Sequence, residues 1–483
     1  MKLGRLIENV ESDGEFNFQD IDIAGITNDS RRVKPGYLFV AIKGHKINGH
    51  RFIEKSLKNG AVAIVSEKLD SHNKRIPQII VPSSRRALSR LSCNFYGNPS
   101  QKINVIGITG TNGKTTTAFL IKSIIESEGF DTGLIGTICY QIGRKRLPAQ
   151  ETTPESVELQ RFVAEMVASG IPFAVMEVSS HSLVQHRVDD ISFKTAVFTN
   201  ISSEHLDYHE TITDYVDAKI KLFENLNRSS FAILNADDEQ SRYFAGKTKA
   251  QIVWYGIKKN ADVKARIYNE SIDDTIIRLA YSGMETEITI PFIGLHNVYN
   301  VLASAAGAIS LGFGLKAVKK GIENAPIIPG RLEKVPCKRG VLVFVDYAHT
   351  PHALQVVLCT LKKLTKDRVI LVFGCGGDRD KKKRAMMGTI ADINSDIFWI
   401  TNDNPRSENP ISIIDDIKTG ISPGRVFHIQ TDREKAIRAA IVEAKEGDIV
   451  LIAGKGHEQG QIFRDKVMPF DDKNVIKEIR SNN

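Results

Sequence analysis

The sequence predicts an α/β protein of three domains. Short apolar runs alternate with helical stretches along most of the chain, which is typical of parallel sheets covered by helices on both faces. Two clusters of breaking residues, at 96–100 and 325–331, divide the chain. Its 483 residues fit this division, because a domain commonly has about 150 residues. We therefore expect domains at 1–99, 100–330 and 331–483.

The strands are predicted from apolar, β-branched runs of four to six residues bounded by turn residues. Runs without polar alternation are typical of parallel strands that are buried on both faces. The predicted strands are 37–42, 61–65 and 78–81 in the first domain, then 104–109, 173–178, 195–199 and 231–235, and finally 341–346, 368–373, 397–401 and 449–453. Helical patterns separate most of them.

The composition is that of an ordinary globular protein, with 42% hydrophobic and 25% charged residues. This excludes a wholly disordered or collagen-like chain. Lysine and arginine number 65 against 57 acidic residues, so the net charge is +8. Such an excess fits anionic ligands. No groove motif of basic and aromatic residues accompanies it, so we predict no nucleic-acid partner.

The cysteines and the apolar segments indicate a cytoplasmic protein. The five cysteines are scattered and never form C-x-x-C, which is typical of a reducing compartment. The first residues carry charge before any apolar core of a signal peptide. Residues 288–315 carry no formal charge, but only 301–315 are mostly apolar, fewer than the ~20 that a membrane span needs. We predict a buried helix there and no membrane span.

A glycine-rich loop at 107–116 follows the strand 104–109 and opens a helix predicted over 115–128. It reads Gly-Ile-Thr-Gly-Thr-Asn-Gly-Lys-Thr-Thr. Glycines let backbone N–H groups surround phosphate oxygens, and the helix N-terminus favours negative charge. Lys114 adds a positive charge, and Thr115 offers a hydroxyl to Mg²⁺. The central domain is therefore predicted to be of the P-loop type, with helices on both faces of a parallel sheet.

Polar residues follow the next strands of the central domain. Glu177 ends the strand 173–178, at the sheet edge where open α/β sheets bind ligands. Segments 178–187 and 199–209 are rich in histidine, hydroxyl and carboxylate side chains. Oxygen is the ligand that Mg²⁺ prefers, so an imidazole ligand is not expected from chemistry alone. Composition alone predicts that Lys219 is a solvated helix lysine.

These motifs together resemble the Mur ligase family, the ATP-dependent amino-acid ligases of peptidoglycan precursor synthesis. The resemblance covers essentially the whole chain. It rests on Gly110–Thr115, Glu177–His181, Thr199–Asn200, His205–His209, Gly294–Asn300, Pro329–Glu333 and Asp346–Pro351. The family fold implies a Rossmann-like α/β domain at the C-terminus.

The resemblance implies an ATP site and a metal site between the second and third domains. The implied ATP contacts are Gly110, Thr111, Asn112, Gly113, Lys114, Thr115, Thr116, Asn297, Asn300, Arg331 and Asp346. The implied Mg²⁺ ligands are Thr115, Glu177, His205 and Lys219, the lysine being carbamylated by CO₂. Lys114, His205 and Lys219 are the implied catalytic residues. The family role thus replaces the solvated role that composition predicts for Lys219.

The resemblance also implies a site for each of two further substrates. UDP-MurNAc-L-Ala-D-Glu would contact Ser30, Thr152, Thr153, Ser179, Gln185 and Arg187. The incoming amino acid would contact Arg379, Asp403, Asn404, Pro405, Arg406, Gly454 and Glu458. In the family, the signature Asp403–Arg406 is associated with meso-diaminopimelate rather than L-lysine. A guanidinium can hold the extra carboxylate of diaminopimelate through two parallel bonds.

The implied reaction adds meso-diaminopimelate to the γ-carboxylate of D-Glu through an acyl phosphate and forms ADP and phosphate. We expect a monomeric cytoplasmic enzyme with these small-molecule partners. Two alternatives stay open: an L-lysine-adding Mur ligase, and a ligase similar to folylpolyglutamate synthetase, which lacks a uridine-binding first domain. In the basic run 381–384, Lys381 and Lys382 are interpreted as solvated.

Overall fold

The computed structural model describes residues 1–12, 20–44, 47–69, 76–202, 208–337 and 340–481. The first sheet is parallel, in the order β1-β2-β3-β4. Its elements are α1 (Leu3–Leu6), β1 (Gly25–Thr27), β2 (Tyr37–Val40), α2 (Ile53–Lys58), β3 (Ala61–Ser66), β4 (Gln78–Ile80) and α3 (Ser84–Phe95). The Ser83 hydroxyl caps α3 by accepting from the Arg86 N–H.

The central sheet has eleven strands in the order β15-β14-β13-β12-β11-β10-β5-β9-β6-β7-β8. Its first elements are β5 (Asn104–Thr109), α4 (Lys114–Ser127), β6 (Thr132–Ile135), β7 (Cys139–Ile142), β8 (Lys145–Pro148), α5 (Ser156–Ala168), β9 (Phe173–Glu177), α6 (Ser180–Val184), β10 (Phe193–Phe198) and α7 (Ile212–Glu224). It continues with β11 (Phe231–Asn235), α8 (Ser241–Lys247), β12 (Gln251–Gly256), β13 (Val263–Glu270), β14 (Thr275–Tyr281), β15 (Met284–Ile290), α9 (Leu295–Ser310) and α10 (Leu315–Glu323).

The third sheet has six strands in the order β16-β17-β21-β18-β19-β20, and a hairpin, β22-β23, follows it. The elements are β16 (Glu333–Val335), β17 (Leu342–Asp346), α11 (Pro351–Leu364), β18 (Val369–Phe373), α12 (Lys382–Asn394), β19 (Ile397–Ile400), α13 (Pro410–Lys418), β20 (His428–Ile429), α14 (Arg433–Glu443), β21 (Ile449–Ala453), β22 (Gly460–Phe463), β23 (Lys466–Pro469) and α15 (Asp472–Ser481). The predicted α/β class is confirmed, and each predicted strand lies within two residues of an observed one.

Successive residues of β5 face opposite cores, as expected of a central parallel strand. Val105 belongs to the core that α5 and α7 cover, whereas Ile106 belongs to the core covered by α4, α9 and α10. The phosphate loop therefore follows a strand that is buried on both faces of the sheet.

The central sheet is parallel in its middle, as predicted, and antiparallel strands that the sequence analysis did not predict extend it at both edges. Strands β7 and β8 at one edge, and β13, β14 and β15 at the other, pair antiparallel. The β14–β15 connection is a two-residue hairpin in which Ser282 and Gly283 both have positive φ. Such a turn matches the twist of antiparallel strands. The polar alternation of these strands reflects their one-sided burial.

The helix predicted over 301–315 is α9, which is buried as expected but begins earlier and ends at Ser310. Gly294, with φ of +93°, precedes it, and Asn297 Nδ2 donates to the Ile293 carbonyl oxygen. The polar residues before 301 are thus the first turns of the helix. In the described ranges, no helix is both long enough and apolar enough to cross a membrane.

Candidate active site

The phosphate loop connects β5 to α4, and two of its glycines are required by close approaches. A Cβ on Gly110 would lie 1.9 Å from Thr199 Oγ1, and one on Gly113 would lie 2.2 Å from Asn300 Oδ1. Both residues have positive φ, which glycine adopts without strain. The Thr111 N–H donates to the Asn200 carbonyl at 2.8 Å, so the end of β10 holds the loop in place.

Two lysine ammonium groups converge on one carbonyl of this loop. Lys114 Nζ donates to the carbonyl oxygens of Gly110, at 2.9 Å, and Thr111, at 2.8 Å. Lys219 Nζ, from α7, donates to the same Gly110 oxygen at 2.9 Å and lies 4.4 Å from the centre of the Tyr215 ring. Lys219 is 1% exposed. The solvated position that composition predicts for it is wrong, because the amphipathic face of α7 turns this lysine inward.

Glu177, at the carboxyl end of β9, is the buried carboxylate beside the loop. Its Oε2 accepts from the hydroxyls of Thr115 and Thr137, each at 3.0 Å, and its Oε1 accepts from the Thr137 N–H at 2.8 Å. Arg331 Nη2 donates to Thr115 Oγ1 at 3.1 Å. Thr115 and Glu177 thus place oxygen atoms next to each other at the position predicted for the metal.

The donor set fits Mg²⁺, which binds protein through one or two oxygen ligands and keeps waters and substrate phosphates for the rest. Among the described residues, no group of three or more histidine, cysteine, aspartate or glutamate side chains is placed to hold a metal ion. The predicted ligand His205 lies outside the described residues.

A cavity of about 280 Å³ lies between the phosphate loop and the third sheet. Asn297, Asn300, Arg331 and Asp346 line it together with Lys114–Thr116. Asp346 is held by the backbone, since Oδ2 accepts from the Leu332 N–H at 2.6 Å and Oδ1 from the Ala348 N–H at 2.7 Å. Burial raises the pKa of this carboxyl, and Arg331 opposes the shift.

His296 also lines the cavity, and it is a residue that the sequence analysis missed. Burial and the neighbouring His352 lower its pKa to about 4, so the ring is neutral near pH 7. Its Nδ1 is buried without a hydrogen-bond partner in the described part of the chain. A neutral, partly apolar ring of this kind suits the base of a nucleotide better than its phosphates.

Five of the residues predicted to bind the UDP-linked substrate form one cluster beside Glu177. Arg187 Nη1 donates to the Thr153 carbonyl at 2.7 Å and Nη2 to Gln185 Oε1 at 2.9 Å. Thr153 Oγ1 donates to the Glu177 carbonyl at 2.8 Å and accepts from the Ser179 N–H at 3.1 Å. Thr152 Oγ1 is 3.1 Å from Thr137 Oγ1. Hydroxyl and amide groups therefore surround a single guanidinium, which is also paired with Glu151.

Ser30, the sixth predicted residue, lies after β1 in the first sheet and is buried. Its carbonyl accepts from Asn59 Nδ2 at 2.9 Å. Arg85 of α3 donates to Gln185 Oε1 at 3.3 Å, which connects the first sheet's helix layer to the cluster around Arg187. Ser30 and the cluster around Arg187 thus lie in two regions of the protein that contact each other.

The loops after β18 and β19 form a pocket with two guanidinium groups. Arg406 Nη1 donates to the Gly377 carbonyl at 2.7 Å, and a Cβ on Gly376 would lie 2.8 Å from that nitrogen. Burial and the nearby Arg379 lower the pKa of Arg406. Like charges placed this close favour an anionic ligand between them.

The loop after β21 completes this pocket. Asp403 Oδ2 would lie 2.6 Å from a Cβ on Gly454, whose φ is +112°. Asn404 Nδ2 donates to Glu458 Oε2 at 2.9 Å. Pro405 is buried, and its carbonyl would lie 1.9 Å from a Cβ on Gly377. Predicted residues from three separate loops therefore meet at the carboxyl ends of β18, β19 and β21.

Comparison with known proteins gives these sites a family. Models of the Mur ligase family catalytic domain, the Mur ligase middle domain and the Mur ligase glutamate ligase domain match residues 22–96, 108–308 and 330–456. The chain belongs to the Mur ligase family. The resemblance that the motifs indicate is thereby confirmed.

Several full-length relatives of this Mur ligase carry the name UDP-N-acetylmuramoyl-L-alanyl-D-glutamate–2,6-diaminopimelate ligase. The relative from Caldanaerobacter subterraneus subsp. tengcongensis is 42% identical over 480 residues, 99% of each chain. The relative from Bacillus velezensis is 45% identical over 483 residues, 98% of each chain. A solved structure of the same name is 31% identical, has a TM-score of 0.70 and covers 100% of this chain and 99% of its own.

The Mur ligase fold brings together residues that the sequence analysis did not single out. Thr137 holds both oxygens of Glu177, Lys455 is buried beside Glu458, and Arg384 is buried beneath the two-arginine pocket. Arg384 ends the basic run 381–384, whereas Lys381 in the same run has a side chain that is 69% exposed. The glycine residues on either side of Lys455 were the sequence signal that could have marked this lysine as a site residue.

Proposed function

We propose that this Mur ligase joins meso-diaminopimelate to the γ-carboxylate of D-Glu in UDP-MurNAc-L-Ala-D-Glu, with ATP as the energy source. The observation that carries the proposal is the pocket in which Arg379 and Arg406 stand beside Asn404 and Glu458. A pair of guanidiniums suits the additional carboxylate of diaminopimelate, and a carboxylate suits an ammonium. The name shared by relatives at 42% and 45% identity supports the same substrate.

The proposed chemistry has two steps. The γ-carboxylate oxygen attacks the γ-phosphorus of ATP, so the bond to ADP breaks and an acyl phosphate forms. The amine of diaminopimelate, after losing a proton, then attacks the acyl carbon, and phosphate leaves from the tetrahedral intermediate. No side chain becomes covalently attached. The protein's contribution is positioning and charge neutralisation.

The phosphate loop would neutralise charge in the first step. Lys114 Nζ, which bonds to the Gly110 and Thr111 carbonyls, would exchange these for phosphate oxygens when ATP binds. The N-terminus of α4 lies at the same place and favours anions. Arg331 reaches Thr115 from the third domain and would add a second positive charge.

Mg²⁺ would offset the negative charge of the transferring phosphoryl group. Thr115 and Glu177 are placed to hold it. We further propose that Lys219 is carbamylated and that His205 contributes a ligand. Burial of Lys219 against the Gly110 carbonyl, a position that Lys114 shares, supports a role beyond solvation. A carbamate would replace one of two neighbouring positive charges by a negative one.

Each proposed domain has one substrate in this scheme. Residues 1–99 would bind the uridine nucleotide, 100–330 the ATP, and 331–483 the amino acid. Each segment contains a sheet of its own, which supports these boundaries. We propose that the enzyme acts as a monomer in the cytoplasm.

The function is tested by measuring phosphate release from ATP with Mg²⁺ and UDP-MurNAc-L-Ala-D-Glu, adding either meso-diaminopimelate or L-lysine. We expect phosphate release that depends on diaminopimelate and is weak with lysine. Equal rates with the two amino acids would remove the diaminopimelate assignment, and no release with either would remove the ligase proposal.

The first prediction concerns Arg406. Replacing it by alanine should raise KM for diaminopimelate by about a hundredfold, since a charge-assisted pair is lost, and should leave the KM for ATP nearly unchanged. The rate with lysine should change much less, because lysine lacks the second carboxylate. The same replacement at the half-exposed Arg438, which pairs with Glu434 on α14, is the control.

A further inference from the structure

Lys455 is a fully buried cation in the amino-acid pocket that the proposed chemistry does not use. It is 0% exposed and lies in the loop after β21. Its Nζ donates to Glu458 Oε2 at 2.8 Å and to Asn404 Oδ1 at 3.0 Å. A buried ammonium is stable only with such partners, so the three side chains form one unit.

The unit joins two loops. Asn404 follows β19, and Lys455 and Glu458 follow β21. Asn404 Nδ2 donates to Glu458 Oε2 at 2.9 Å, and its Oδ1 accepts from the Ile462 N–H at 3.0 Å as well as from Lys455. Within the described residues both donors reach the same oxygen of Glu458. The Glu458 side chain is therefore already oriented when a ligand arrives. It is 32% exposed, so a ligand can reach it.

Lys455 also contributes to the charge balance around the pocket. The charged groups that act on Arg406 are Arg379, Asp403, Glu458 and Asp378, so Lys455 brings the cations to three against three carboxylates. Near neutral pH, a diamino acid with two carboxylates is neutral overall, whereas lysine carries a net positive charge. Without Lys455 the carboxylates would outnumber the cations, which would favour lysine over a substrate with a second carboxylate.

We propose that Lys455 is a positioning residue that fixes Glu458 and Asn404 and selects a dicarboxylic diamino acid over lysine. The inference rests on the proposed function. Lys455 acts through its two partners, so its loss should affect the amino-acid substrate and leave the nucleotide site, which lies at the phosphate loop, intact.

The test compares Lys455→Met with wild type and with Lys435→Met, a control on α14 whose side chain is 70% exposed. We expect the KM for meso-diaminopimelate to rise about tenfold or more in Lys455→Met, because Glu458 loses its fixed partner. The KM for ATP should stay within about twofold. The ratio of kcat/KM for diaminopimelate over lysine should fall at least about tenfold.

Two further variants separate positioning from general damage. Glu458→Gln and the double variant with Lys455→Met should have nearly the same KM for diaminopimelate, since the lysine acts through the glutamate. Equal ADP affinity in all variants shows an intact fold. The inference would be overturned if Lys455→Met had an unchanged KM and selectivity, or if the two substitutions had additive effects in the double variant. The proposed function would still stand in either case, provided that the wild type is active with diaminopimelate. Wild type that is inactive with diaminopimelate would overturn both.

Discussion

At the residue scale, the site is organised around charges that are buried but fully partnered. Glu177 is 1% exposed and accepts three hydrogen bonds, from Thr115 and from the hydroxyl and N–H of Thr137. These donors stabilise the ionised carboxylate in a place where an unpaired charge would be costly. Lys219, equally buried, donates to the Gly110 carbonyl of the phosphate loop. Both side chains are held in position before any substrate arrives.

Lys219→Ala tests the carbamate proposal at this scale. We expect kcat to fall by about a hundredfold or more, because a charged group beside the phosphate loop is lost. Short carboxylates such as acetate should restore part of the activity by occupying the vacated space. The rate of phosphate release is the measurement, and Lys221→Ala, two residues along α7, is the control. Full activity without added carboxylate would contradict the proposal.

At the element scale, one arginine fastens the loops of the amino-acid pocket to the helices behind them. Arg384 of α12 is 0% exposed and pairs with Glu408 and Asp416, each at 2.8 Å. It also donates to the Gly376 carbonyl at 3.2 Å. Glu408 in turn accepts from the Asp378 N–H at 2.6 Å. The loops after β18 and β19, which carry Arg379 and Arg406, are thereby joined.

Arg384→Met should lower the free energy of unfolding by about 3 kcal/mol, because two carboxylates lose a buried partner. The hydrogen bonds from Arg384, together with the Asp378 N–H and the charge of Lys381, lower the pKa of Glu408 from 4.5 to about 2. The stabilisation is therefore present above about pH 4.5 and is lost as the pH falls towards 2. Denaturant unfolding at pH 7 measures the change. Arg438→Met, which removes more exposed pairs, should cost under about 1 kcal/mol. Equal effects of the two variants would contradict the assignment.

At the scale of the whole molecule, the cavity proposed for the nucleotide lies where the second and third sheets meet. The phosphate loop lines one side, and Asp346 to Val357 line the other. Arg331, at the junction, packs on the Tyr347 ring at 4.7 Å and bonds to Thr115. If ATP binds in this cavity as proposed, Arg331 would couple its binding to the relative position of the two domains.

Arg331→Ala should lower kcat/KM for ATP by about tenfold, equivalent to about 1.4 kcal/mol, since the third domain loses its contact with the phosphate loop. The KM for diaminopimelate should change little, because Arg406 and Glu458 belong wholly to the third domain. Initial rates with each substrate varied in turn give both constants. A larger effect on the diaminopimelate KM than on ATP would contradict this role.

The sequence by itself determined the α/β class, eleven of the 23 described strands and the phosphate loop. These depend on neighbours along the chain: apolar runs make buried parallel strands, and glycines before a lysine make a phosphate loop. The family motifs also marked Arg379, Asn404, Arg406 and Glu458 for one pocket. The strands that were not predicted include parallel ones, such as β1 and β12, and antiparallel ones, such as β14 and β15. The Ser-Gly turn between β14 and β15 was a local signal for that hairpin.

The tertiary structure alone decided which charged residues are buried and which residues they are paired with. Arg331 and Thr115 are 216 positions apart, and Lys455 and Asn404 are 51 apart, yet each pair is bonded. Lysine and arginine are normally exposed, so composition does not indicate that Lys219, Arg384 and Lys455 lie inside. Their burial depends on partners contributed by other loops, and those loops meet only when the sheets are packed.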